Sequence, residues 1–201
     1  MKKPDLAVDQ ILELAARYER ESKPKDWALK NQILAAWQRV KNDLDFAMDN
    51  LYLISGDWRN SSPLFAPTRV RIYQNPQEKV RRTMRNALAA LPFSDYEAIL
   101  ILTGLNGVAV RTALTNLHFA TDPMELLPPA LPILDVNLLE ARDEKDRTVD
   151  DPLWDLRIWP EFRRSMIDLS LELGLPMRIV DRALFIYGED LRNQRRHGLR
   201  Q

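Results

Sequence analysis

The chain is 201 residues long, balances 29 basic against 29 acidic side chains for a formal net charge of zero, and contains no cysteine. That length holds one compact domain or two small lobes sharing a core, and the charge balance excludes a generic polyanion coat. The missing thiols exclude disulfides, thiolate catalysis and any cysteine-held iron–sulfur cluster. The Met-Lys-Lys-Pro-Asp start leads into amphipathic spacing without an apolar run of membrane-spanning length, so the expectation is a cytoplasmic protein with no membrane partner.

In chain order, apolar residues recur at three- and four-residue spacing over 6–20, 27–54, 79–91 and 95–103, and each pattern predicts a helix. Residues 55–67 gather Gly56, Trp58, Asn60, Ser61, Ser62, Pro63 and Pro67, the composition of an irregular loop joining an N-terminal helical lobe to a central one. The piece 69–73 is short and ambiguous between strand and helix. Ser94, with Glu97 three residues later, has the pattern of a capping box starting the helix 95–103. Gly104 and Gly107, two of only six glycines, then make a tight turn into a helix over 110–120. A turn feeding straight into a helix points consecutive backbone N–H groups outward at its positive end, which suits a phosphate. Pro123, Pro128, Pro129 and Pro132 keep the following connection extended and deliver Asp135 to the start of another helix. Two more helices are expected over 159–173 and 177–194, divided by Gly174-Leu175-Pro176. No alternating strand pattern of useful length occurs, so the fold class is all-α.

Charge is unevenly spread. Arg69, Arg71, Lys79, Arg81, Arg82 and Arg85 face only Glu78, the tail carries Arg192, Arg195, Arg196 and Arg200 without an acid, and 140–155 is net acidic. Each run alone would be a solvated face; beside the glycine turn, the basic ones point to phosphate contact. Asp135 suits a helix N-cap, and a carboxylate delivered there also suits stabilisation of a developing cation. Asn137 reads most plainly as a surface amide, with support of that carboxylate as the other reading. His118 reads as a core or semi-buried histidine. Trp58, Tyr52, Phe93 and Tyr96 could supply a stacking wall or wedge, with Trp58, Tyr52 and Asn137 the candidates for a base pocket; aromatics at helical spacing are usually core, and only Trp58 sits in a polar loop. Metal-ligand spacings and nucleotide phosphate loops are absent.

Leu105, Gly107, Val108, Thr112 and Ala113, followed in order by Pro132, Ile133, Leu134, Asp135 and Asn137, resemble the hairpin and catalytic-aspartate segments of the helix-hairpin-helix base-excision DNA glycosylases. A second likeness is the run Asp181-Arg182-Ala183-Leu184-Phe185-Ile186-Tyr187, which is similar to the helix ending small bacterial members of that superfamily. The resemblance implies a two-lobed all-α fold with an interlobe cleft, divided as 1–67 with 159–194 against 68–158. It implies a monomer on double-stranded DNA, gripped by Leu105, Asn106, Gly107, Val108, Ala109 and Arg111 together with Arg81 and Arg82, with room for a monovalent cation at the hairpin and no other cofactor. Asp135 becomes the catalytic carboxylate. Three departures modify the picture: Asn106 stands at the family's proline, Ala109 at its second glycine, and Arg111 where bifunctional members carry a nucleophilic lysine. An arginine stays protonated and forms no Schiff base, so the implied reaction is hydrolysis of a damaged or hypermodified base without strand cleavage. Two other readings stand beside it: a helix-hairpin-helix DNA-binding protein without catalysis, and a HEPN-like ribonuclease using Arg192 and His197 in an Arg-x4-His pattern.

Overall fold

A computed structural model describes residues 1–22, 28, 31, 66–121, 131–144 and 153–198, and among them every element of regular structure is helical. The elements are α1 (Val8–Glu21), α2 (Ala66–Tyr73), α3 (Gln77–Ala90), α4 (Asp95–Thr103), α5 (Val110–Thr121), α6 (Val136–Ala141), α7 (Trp154–Leu173) and α8 (Met177–Gly198). The expected all-α class therefore holds. Of the expected helix over 27–54, which would carry Tyr52, only 28 and 31 are described, and the loop 55–67 with Trp58 lies outside the described residues, save that 66 and 67 open α2. The ambiguous piece 69–73 is helical, as part of α2.

Two compact units divide the chain, one of Met1–Ser22 with Glu125–Gln201 and one of Lys23–Met124. We call them the discontinuous and the inserted unit. The division differs from the one expected, because the Asp135 segment belongs with the terminal helices and not with the hairpin at 104–109. The reason is a backbone contact: a Cβ at Gly188 of α8 would lie 1.7 Å from the Asn137 carbonyl oxygen, so α6 docks where α8 has no side chain.

In the discontinuous unit, Ile11 and Ala15 are buried one turn apart on α1. On the same side Tyr18 meets Phe185 of α8 edge to face at 5.6 Å, and Arg178 and Arg182 lie over the Tyr18 ring. Arg17 adds a two-pronged pair with Asp190 at 2.6 and 3.0 Å. α7 starts at Trp154, five residues before the predicted start, and carries Pro160 inside it. Proline lacks the N–H that would bond Leu156, a cost that deters a helix at this point from sequence. Burial of Trp159, Phe162 and Met166 on one stripe offsets it. Gly174 ends α7 with φ 63°, as the Gly-Leu-Pro pattern predicts.

In the inserted unit, α3 buries Val80, Met84 and Ala87, a stripe of period three to four that packs on Ala98, Ile99 and Leu102 of α4. Ser94 Oγ accepts from the Glu97 N–H at 3.1 Å, but the Ser94 N–H donates to the Ala90 carbonyl. Only half of the expected capping box forms, because the preceding helix takes the donor that Glu97 needs.

Candidate functional site

The hairpin turn is built by Leu105-Asn106-Gly107-Val108, closed by the Val108 N–H on the Leu105 carbonyl at 3.2 Å. Gly107, third in that turn, has φ 79°, which a type II turn demands at this position and side chains resist. Space forbids a side chain as well: a Cβ there would lie 2.9 Å from both Ile72 Cγ1 and the Thr68 carbonyl of α2. Gly104, by contrast, has φ −70°, ordinary helical backbone, so the turn's geometry rests on Gly107 and not on both glycines.

Asn75 holds this turn, and nothing in the sequence singled it out. Its side chain, 3% exposed, accepts from the Asn106 N–H at 2.9 Å and donates back to the Asn106 carbonyl at 2.9 Å, while also reaching the Ile72 carbonyl. Asn106, at the family's proline position, is thus fixed by an amide clamp 31 residues away in sequence. Leu105 and Val108 are core, whereas Asn106 and Ala109 are exposed and Gly107 and Arg111 half-buried. Of the six hairpin residues predicted to meet DNA, Leu105 and Val108 shape the turn from inside and the others line its surface. Of the two arginines named with the hairpin, Arg82 on α3 is exposed, as is Arg85, and Arg81 is half-buried with a partner of its own. His118 is fully buried on α5, packed edge-on against the Phe119 ring at 5.1 Å, as expected of a core histidine. Phe93 and Tyr96 depart from their core reading: they are 90% and 44% exposed at the α3–α4 corner.

The carboxylate is in the discontinuous unit. Asp135 caps α6 in extended conformation (φ −138°, ψ 155°), half-buried, with Oδ1 accepting from the Asn137 N–H at 2.9 Å. Its other oxygen has no hydrogen-bond partner among the described residues, so the cap uses one oxygen of the two. Asn137 is not the surface amide expected: it is 6% exposed and its Oδ1 accepts from Arg192 Nη1 at 2.7 Å. α8 packed over this turn buries it. Buried Asp181, from the run resembling the superfamily's last helix, has Oδ2 3.4 Å from the Ile133 N–H, just ahead of Asp135.

Arg192 and His197 do not pair. Five residues apart on one helix, they project about 140° apart, Arg192 toward Asn137 and His197 exposed. Among the described residues no group of three or more histidine, aspartate or glutamate side chains could hold a metal ion, and no helix is long and apolar enough to cross a membrane. Comparison with known proteins brought no match of this chain to a family model, a curated protein or a solved structure.

Proposed function

We propose that the chain is a monofunctional DNA glycosylase of two-lobed helix-hairpin-helix type, in which Asp135 stabilises the sugar cation formed as a modified base departs from double-stranded DNA. The observation that carries the reading is the state of Asp135: one carboxylate oxygen is tied to the Asn137 N–H, and the other, on a half-buried side chain, has no hydrogen-bond partner among the described residues. Hydrolysis would break the bond between C1′ and the base nitrogen and form one between C1′ and a water oxygen. Positive charge builds on the deoxyribose in between, and a fixed carboxylate lowers the energy of that state without rearranging. The nucleotide has to leave the stack first, at a cost of a few kcal/mol. The inserted unit supports the reading through the turn at Gly107, which leaves Asn106 and Ala109 exposed and opens into α5, whose N-terminus attracts phosphate oxygens.

The test is a screen for abasic sites on genomic and phage DNAs that differ in base modification, run with the wild type and Asp135→Asn. The amide keeps the shape and loses the charge. Base release should fall by about two to three orders of magnitude, an effect of the size seen when a transition-state charge partner is removed, while DNA affinity holds or improves. Unchanged turnover by Asp135→Asn would remove Asp135 from the mechanism; no base release by the wild type on any DNA would leave a binding protein without catalysis.

A further inference from the structure

Four side-chain positions on α8 meet the segment around Asp135. Asp181 lies opposite the Ile133 N–H, Gly188 admits the Asn137 carbonyl, Arg192 donates to the Asn137 side chain and Arg195 pairs with Glu140 at 2.6 Å. Their spacing of 7, 4 and 3 residues confines them to roughly 60° of helix circumference, so one face of α8 engages residues 133–140. Within that row Arg192 is the member that reaches the Asn137 side chain. Its guanidinium bonds the Oδ1 of Asn137, and the backbone N–H of that same residue is the donor that orients Asp135 Oδ1.

We infer that Arg192 is a positioning residue for Asp135: it locks the buried Asn137 amide, and through the Asn137 peptide it fixes which way the carboxylate points. The inference rests on the glycosylase reading for its kinetic consequence, and on the hydrogen-bond geometry alone for its structural one. It gives the tail arginine a task other than the one its charge suggests. A phosphate contact would draw Arg192 toward solvent, whereas here it is half-buried and engaged by a neutral acceptor at 2.7 Å. Asn137 without it would keep a buried carbonyl oxygen lacking its charge-assisted donor, which loosens the first turn of α6. Displacing a reacting group by about 1 Å is enough to lose about 100-fold in rate.

The experiment uses the full chain with Arg192→Met and Arg192→Lys. Amide hydrogen exchange at Asn137, followed by NMR, needs no activity: protection should drop about tenfold or more in Arg192→Met and recover in part in Arg192→Lys, whose ammonium keeps one donor. On a DNA from which the wild type releases a base, Arg192→Met should lower kcat about 100-fold, with KM within about threefold and the salt dependence of binding unaltered, because no phosphate contact is lost. Wild-type exchange protection at Asn137 in Arg192→Met overturns the inference, as does a loss confined to KM together with a shallower salt slope. Should Arg192→Met fail to fold, Arg192→Lys decides by the same two readings. If the wild type releases no base from any DNA, the functional reading falls, and exchange at Asn137 still decides whether Arg192 holds the turn.

Discussion

Arg142, at the end of α6, is 3% exposed, and its Nε and Nη1 are buried without a hydrogen-bond acceptor among the described residues. Burial pulls its guanidinium below the ordinary arginine value. Because the folded state binds this proton less tightly than the unfolded one, the charge opposes folding at every pH below the folded pKa, which covers the whole working range. Arg142→Met keeps the length of the side chain and removes the charge. It should stabilise the fold by about 1–3 kcal/mol, equally at pH 6 and pH 8, checked by urea unfolding at both; a loss of stability would mean that the guanidinium has found a compensating anion. Individual residues also mark the limits of reading from sequence. Gly107 and the capping role of Asp135 were legible because each is a local requirement of backbone geometry. Asn75 was not, since its clamp on Asn106 joins positions 31 residues apart, and Asn137 was misread as a surface amide because its burial is imposed by α8, 55 residues downstream.

At the scale of elements, the helices that lay one apolar stripe on a partner were read close to their true bounds: 95–103 was expected and found, 79–91 became Gln77–Ala90, and 177–194 became Met177–Gly198. Two were not. α2 alternates Arg69, Val70, Arg71, Ile72 and Tyr73, a pattern that suits a strand as well as a helix, and only the packing of Ile72 beneath Gly107 selects the helix. The α6–α8 contact has a sharper consequence. With Asn137's carbonyl oxygen 1.7 Å from where a Cβ would stand, Gly188→Ala forces two backbones apart. The expected loss is about 3 kcal/mol, the upper end for overpacking, read as a lowered denaturation midpoint. A Gly188→Ala variant as stable as the wild type would show that α6 is free to slide along α8.

On the proposed glycosylase reading, the whole molecule holds DNA through its phosphates and releases a base without cutting the strand. Arg82 and Arg85 stand exposed on α3, so neutralising both should make the log–log salt dependence of DNA affinity shallower by up to about two, from a slope near −0.9 per phosphate contacted. An unchanged slope would move the DNA to another surface. Since Arg111 stands where bifunctional members of the glycosylases that the hairpin resembles carry a lysine, the proposed reaction predicts that borohydride traps no covalent protein–DNA adduct during turnover and that strands break only after alkali; a trapped adduct would reveal another amine acting as nucleophile. The discontinuous unit has a consequence for how the chain is made. α1 leaves the ribosome long before α8, its packing partner: Arg17 and Asp190 are 173 residues apart, a wait of roughly 10–35 s at ordinary rates of synthesis. Throughout that interval the apolar stripe of Ile11 and Ala15 stays uncovered while the inserted unit is being completed. Assembly of the carboxylate-bearing unit therefore waits for α8 and has high contact order, and the uncovered stripe of α1 is where a chaperone would find purchase in the interval.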